Sequence, residues 1–305
     1  MPTAPRDVAV LVNPAADRGR AAVTGVRAVR AMRDLGLRVR VLMGRDAAES
    51  TDLAHLAVTA GTDALVVVGG DGLVHAALQV LGGTPTPLGI VPGGSGNDAA
   101  RSLGLGHHSP EGAARVIAAG HTRRLDLARA EGRFFCTVLA TGFDARVNER
   151  ASNLGRRRRA WPPGPSRYLL AVAAELPRFR PLPYTLDLEG EQRRLDAMLV
   201  AVGNGPSYGG GLRICAGALL DDGLLDVVVI KPLSRRELVR VFPRLYTGSH
   251  VRHPRYEHHR VRRVSVAAPA GLAYADGERL GPLPTTVECV PQAITVLVGT
   301  GGCST

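Results

Sequence analysis

Lysine is almost missing from this chain: of its 38 basic residues only Lys231 is a lysine, and the rest are arginines. A Walker-type phosphate loop, a protein-kinase strand lysine and a Schiff-base mechanism each need an amine at the reacting centre. Lys231, between Ile230 and Pro232, sits in none of those motifs. Cysteine is sparse too. Cys136, Cys215, Cys289 and Cys303 lie far apart with no C-x-x-C spacing, which excludes a zinc or disulfide framework and predicts reduced thiols in a cytoplasmic protein. Aromatic residues are 4% of the chain, with no helix-turn-helix or stacking motif beside the charge, so nucleic acid is not the expected partner. No run approaches the ~20 apolar residues that span a bilayer. The first apolar run, Val8 to Val12, is too short for a secretory leader.

What remains is a 305-residue chain, 45% hydrophobic, with a net charge of +11. That is enough for two domains with substantial cores. Arginine grips phosphate through two parallel N–H donors, so the excess suits a nucleotide or a phospholipid headgroup as well as an ordinary solvated surface.

Leu65 to Gly72, LVVVGGDG, is the stretch around which the chemistry gathers. Four apolar residues predict a buried strand, and the glycines let the backbone turn sharply into a helix starting near Leu73. Backbone amides and a helix N-terminus then converge on one spot, an arrangement that favours phosphate. Asp71 is the only charge in the turn. A second such unit follows: the strand Pro87 to Val91, then Pro92, Gly93, Gly94, Ser95, Gly96, Asn97 and Asp98 before another helix. Either loop alone reads equally well as a tight turn. Two in neighbouring strands, each with an aspartate, read as a nucleotide phosphate site with a bound metal, Asp71 and Asp98 holding Mg²⁺.

Elsewhere in the first part, Val8 to Val12 is a predicted strand and Val23, Val26, Val29, Met32 and Leu35 form the stripe of a helix stopped by Gly36. Leu37 to Leu42 follows as a strand, then a helix Ala47 to Ala60, and a further helix Pro110 to Ala119 with Ser109 as cap and Gly120 as stop. The alternation predicts an α/β N-terminal domain with a parallel sheet and Gly-rich phosphate loops. From Leu125 the texture becomes strand-like, beginning with a hairpin that turns at Glu131-Gly132 and continues as RFFCTVLA. A mostly antiparallel, β-sandwich-like C-terminal domain is expected there. Asn153 to Pro165 reads as an exposed loop before a helix from Ser166 to Leu176; Arg156 to Arg159 beside Trp161 suit either solvent or an anionic membrane surface. His250 to Arg263, with five arginines and four histidines, reads as surface.

GGDG, PGGSGND and NPAADRGR (Asn13 to Arg20) resemble the nucleotide-binding signatures of the diacylglycerol kinase catalytic family, which includes bacterial soluble lipid kinases and the sphingosine kinases. GFDARV (Gly142 to Val147), VGNGPSYGGG (Val202 to Gly211), DDGLLDV (Asp221 to Val227) and DGE (Asp276 to Glu278) continue the match in the family's order. The resemblance implies a nucleotide-binding domain over residues 1–124, joined by residues 292–305 returning to it, and a lipid-substrate domain over residues 125–291. It implies ATP and Mg²⁺ as cofactors, bound through Asn13, Pro14, Gly19, Gly69, Gly70, Asp71, Gly72, Gly94, Ser95, Asn97, Asp98 and Asp276. Glu278 is then the general base and Asp71 its catalytic companion, while Asp222 with the carbonyls of Leu219 and Leu224 would hold a structural Mg²⁺. Asp276 and Glu278, flanking Gly277, would share one face of an extended chain.

This sequence departs from the family pattern at Ser95 and Leu73, each where threonine is usual, and by one extra residue in the Asn13 to Gly19 loop. The implied reaction is phosphorylation of a lipid hydroxyl, that of diacylglycerol foremost, by a cytoplasmic protein in peripheral contact with anionic membrane; a homodimer is left open. A NAD kinase shares GGDG, but its Asn-Glu pair is absent here. A non-catalytic nucleotide- or nucleic-acid-binding protein has only the arginines in its favour.

Overall fold

The computed structural model describes residues 5–13, 19–106, 108–157, 165–176 and 178–299. Pro14 and the Arg158, Arg159 and Trp161 part of the basic loop lie outside them. The chain divides into two compact units, residues 1–127 with 291–305, and residues 128–290. Elements in chain order begin with β1 (Asp7–Val12), α1 (Arg20–Asp34), β2 (Arg38–Met43), α2 (Ala47–Thr59), β3 (Ala64–Gly69), α3 (Asp71–Leu81) and β4 (Leu88–Pro92). Next come α4 (Asp98–Ser102), α5 (Pro110–Ala119), β5 (Thr122–Ala130), β6 (Arg133–Phe135), β7 (Val138–Thr141), α6 (Phe143–Arg157) and α7 (Pro165–Glu175). The remainder is β8 (Leu182–Leu188), β9 (Glu191–Ala197), β10 (Leu199–Gly203), β11 (Leu225–Ile230), α8 (Arg235–Val241), α9 (Arg244–Thr247), β12 (Tyr256–Val261), β13 (Arg263–Ala267), β14 (Leu272–Ala275), β15 (Glu278–Pro282) and β16 (Thr285–Leu297).

In the first unit the strands run parallel in the order β2, β1, β3, β4, with the end of β16 beside β4. β3 is buried along its whole length, as expected of a strand covered by helices on both faces. Val8, Val10, Val66 and Val68 pack with Ala28 and Met32 of α1 and with Ala113 and Ile117 of α5. Edge strand β2 carries exposed Arg38 and Arg40, charges that discourage pairing with another chain. Helix ends follow local chemistry: Asp46 caps α2 by accepting from Glu49 N at 2.9 Å, and Ser109 caps α5 by accepting from Gly112 N at 3.1 Å. The expected stripe of α1 is corrected. Val23 and Val26 are 64% and 70% exposed while Ala21, Ala28 and Met32 are buried, because a three-residue spacing drifts around a helix of 3.6 residues per turn.

The second unit stacks two antiparallel layers. One is β12, β11, β10, β7, β14, β15; the other is the start of β16, then β13, β8 and β9. Leu139, Val200, Val227 and Val229 of the first layer meet Leu186, Val264, Val266 and Val287 of the second in one apolar core. The opposite face of the first layer is covered too, by Leu212, Ile214 and Cys215 with Leu238 and Phe242. Burial and the nearby Asp226 push the Cys215 thiol well up, and Cys136, Cys215 and Cys289 are free thiols. Three expectations change here. α6 continues to Arg157 instead of ending in a loop at Asn153, since Arg and Leu are good helix formers. The strand expected through RFFCTVLA breaks at Cys136-Thr137 into β6 and β7, which join different sheets. The return expected at residue 292 falls inside a single strand, β16, that begins at Thr285.

The basic stretch after residue 249 is also less superficial than its composition suggests. His250 is fully buried, its Nε2 donating to Ile214 O at 3.1 Å, and its ring meets Tyr256 edge to face at 5.3 Å. Burial pushes its pKa down from 6.5, against the opposing pull of the Ile214 and Arg244 carbonyls. The unfolded chain therefore binds this proton more readily than the folded one. The contribution is intact above about pH 6.5 and is lost as the pH falls from there toward the lower folded value. His250→Gln should make the loss of stability between about pH 6.5 and 5 shallower than in wild type, measured by urea unfolding at a series of pH values.

Candidate active site

Because the strands of the first unit are parallel, the turns after β1, β3 and β4 all leave the same edge of its sheet, the edge where such sheets bind ligands. Two of these turns are locked together backbone to backbone. Gly93 N donates to Gly69 O at 2.9 Å, and a Cβ on Gly94 would lie 2.4 Å from the Gly70 Cα. No other residue type fits that approach. Gly94 N donates to Asn97 Oδ1 at 2.9 Å and Asn97 Nδ2 returns a bond to Gly94 O at 2.8 Å. Asn97 itself adopts a left-handed conformation, φ 56, which asparagine tolerates better than most residues.

Asp71 opens α3, with Gly70 as its cap residue. Its Oδ1 accepts from Ala99 N in the first turn of α4 at 3.1 Å, so one carboxylate ties the GGDG turn to the GGSGND turn. Asp98 is buried, Gly72 and Ser95 are exposed, and Asn13 and Gly19 flank the undescribed middle of the third loop. The structure thus brings Gly69, Gly70, Asp71, Gly94 and Asn97 together, with buried Asp98 following Asn97 at the start of α4. The glycine backbone and the Asp71 carboxylate are groups of the kind that suit a triphosphate with a divalent ion.

In the second unit Asp276 and Gly277 are the two central residues of the β14–β15 turn, both with positive φ, 51 and 82. This is the mirror-image turn that tight hairpins favour, and it overturns the shared-face expectation. Asp276 turns inward, 9% exposed, while Glu278 is exposed. The Asp276 Oδ1 accepts from Thr137 N at 2.9 Å and Thr137 Oγ1 at 2.6 Å, and its Oδ2 from Cys136 N at 3.2 Å. The break between β6 and β7 is what frees those amides. Asn204 of VGNGPSYGGG joins the same knot, its N donating to Thr137 O at 2.9 Å and its Nδ2 to Cys136 O at 3.2 Å. The Glu278 backbone pairs with Ala275 across the hairpin, while its side chain makes no hydrogen bond or ion pair among the described residues.

The DDGLLDV segment is tied to β12. Asp222 Oδ1 accepts from Leu224 N at 3.0 Å and its Oδ2 is paired with Arg260, while Leu219 is 48% exposed. Among the described residues no group of three His, Cys, Asp or Glu could hold a metal. Both Asp222 oxygens are taken by the chain, so the residues present do not fit a divalent ion without displacing Arg260. Sequence reasoning missed Thr137, Arg260 and His258. Thr137 lay inside an apparent strand, and the two basic residues lay inside a stretch read as solvated.

Residues 7–130 match the model of the diacylglycerol kinase catalytic domain, and residues 137–298 that of the YegS C-terminal NAD kinase beta sandwich-like domain. A diacylglycerol kinase of Mycobacterium tuberculosis is 43% identical over 95% of this chain and 94% of its own. One from Staphylococcus saprophyticus is 27% identical, covering 81% of each. The crystal structure of a putative diacylglycerol kinase from Bacillus anthracis aligns with a TM-score of 0.79 over 98% of this chain and 99% of that one, at 22% identity. An NAD kinase from Archaeoglobus fulgidus in complex with ATP aligns at 0.54 over 96% and 94%, at 15% identity. The chain belongs to the diacylglycerol kinase family. It is a phosphotransferase of the lipid-kinase class.

Thr137 holds the turn from which Glu278 projects. Thr137→Val should lower turnover while leaving the KM for ATP unchanged, and Thr137→Ser, which keeps the hydroxyl, should restore it. A loss that serine does not rescue would show that the Oγ1 bond to Asp276 is not what matters.

Proposed function

We propose that this chain transfers the γ-phosphoryl group of ATP to the free hydroxyl of diacylglycerol, forming phosphatidic acid and ADP. The observation that carries the reading is the pair of glycine turns clasped through Asp71, a cradle whose amides and carboxylates answer the demands of phosphoryl transfer: positioning and charge neutralisation. The acceptor is drawn from the relatives, which bear the name diacylglycerol kinase over nearly the whole chain. ATP phosphates lie on the amides of Gly69, Gly70, Gly72, Gly94 and Ser95, with Asn97 bracing the second turn and Asn13, Pro14 and Gly19 bordering the nucleotide. Asp71 and Asp98 would hold Mg²⁺, which would supply the positive charge that phosphate oxygens require.

Glu278 takes the proton of the attacking hydroxyl as its oxygen bonds to the γ-phosphorus, and the bond from that phosphorus to the β,γ-bridging oxygen breaks, leaving ADP. An exposed carboxylate whose side chain has no partner among the described residues is available for that role. Asp276 supports it by fixing the turn, and through this turn bears on the nucleotide only indirectly. The lipid acceptor lies in a membrane. Among the described residues no helix is long and apolar enough to cross one, so the reading places the chain peripherally at an anionic surface, attracted by its arginines.

Incubation with Mg-ATP and vesicles carrying diacylglycerol, a sphingoid base or neither, with NAD as a soluble competitor, should yield labelled phosphatidic acid. The yield should be greater on anionic vesicles and weaker with added salt. Labelled NADP as the main product would replace this reading with a NAD kinase. The two carboxylate roles separate by mutation. Glu278→Gln should cut turnover about 10²–10⁴-fold with Mg-ATP affinity nearly unchanged. Asp71→Asn keeps an oxygen for Ala99 N but loses the charge, so it should weaken Mg-ATP binding as well. Normal nucleotide affinity in Asp71→Asn beside an active Glu278→Gln would reverse the assignment.

A further inference from the structure

We infer that Arg260 supplies the positive charge that holds the Leu219 to Asp226 segment in place, and that this chain needs no divalent ion there. In the β11–β12 ladder Asp226 stands directly opposite Arg260, and Val228 opposite His258. Residues two apart on a strand share a face, so Arg260 and His258 both reach toward Asp226. His258 Nε2 lies 2.6 Å from Asp226 Oδ1, and Arg260 Nε lies 3.9 Å from the same oxygen. The Arg260 Nη2 then donates to Asp222 Oδ2. One guanidinium thus bridges two carboxylates, one of them on the loop and the other on the strand that follows it.

The charge balance makes the bridge more than a surface pair. The Asp226 side chain is 3% exposed and that of Asp222 19%, and a buried carboxylate is costly unless a cation compensates it. The second Asp226 oxygen has no hydrogen-bond partner among the described residues, which increases the need for a nearby charge. Arginine stays protonated at any relevant pH, so the compensation is permanent. A divalent ion bound by Asp222 and the Leu219 and Leu224 carbonyls would take the Asp222 oxygen from Arg260. It would also sit beside a like charge. Arginine in this role fits a chain whose basic residues other than Lys231 are all arginines.

The inference stands apart from the phosphotransfer reading, because its test uses the full chain without nucleotide. Thermal unfolding is followed in EDTA, in millimolar Mg²⁺ and in millimolar Ca²⁺. An ion bound only by the folded state would raise the Tm by several degrees once well above its Kd. Wild type should unfold at one temperature in all three solutions. Arg260→Gln should unfold several degrees lower in EDTA and recover part of the loss in Mg²⁺, because Asp222 is then free to take the ion. Arg260→Lys should remain indifferent to Mg²⁺. A wild-type Tm that rises with Mg²⁺, with the rise abolished by Asp222→Asn, would overturn the inference, as would an Arg260→Gln variant as stable as wild type. A rise that survives Asp222→Asn would assign the ion to another site and support Arg260 as the charge here. Should Asp222→Asn fail to fold, Arg260→Gln decides: an unchanged Tm and an unchanged Mg²⁺ response would count against the guanidinium.

Discussion

Everything proposed for the first unit depends on two backbones touching. Gly94 can approach Gly70 only because neither has a Cβ, and that approach sets the spacing of the amides around the cradle. The Asp71 bond to Ala99 N then fixes the angle between the turns. Side-chain chemistry can vary around such a contact, as Leu73 and Ser95 do in place of the usual threonines. The contact itself cannot vary. Its rigidity also keeps donors in place before any phosphate arrives, so little ordering remains to be done on binding.

The second unit solves a related problem by a different route. Its hairpin turn points one acidic side chain inward and the next outward, and the inward one is anchored on amides released where two strands part company. Thr137 provides two of the three donors to Asp276. Since the turn has positive φ at both central residues, its geometry is set by backbone and anchor together. The neighbouring charged residues follow the same economy: Glu257 is held below its usual range despite the opposing effect of burial, through hydrogen bonds from Lys231 and His259 and the charge of Arg193.

Much of this was legible before any coordinates. Strand, glycine turn and helix could be read at Val68–Asp71 and Val91–Asp98 because those patterns are local, and Ser109 and Gly120 announced the ends of α5 for the same reason. What stayed hidden was set by partners distant in sequence. Nothing near Thr137 shows that it faces Asp276, 139 residues away. Arg260 looks like one arginine among many until strand register places it opposite Asp226. The stripe of α1 misled because Val23 and Val26 are apolar yet point to solvent, whereas the alanines that do the packing carry little signal. His250 failed in the opposite sense: a polar residue in a basic stretch whose burial depends on Ile214 and Tyr256.

β16 has a consequence for how the molecule is made. The strand that flanks β4, with Val296 opposite Leu88, is synthesised only after the whole second unit. During translation the first unit's sheet therefore emerges with the β4 edge unpaired, since Val296, the partner of Leu88, is made 208 residues later. The glycine turn after β4 hangs from that strand. The edge of the sheet that carries the two glycine turns becomes complete only when the chain has come back to it.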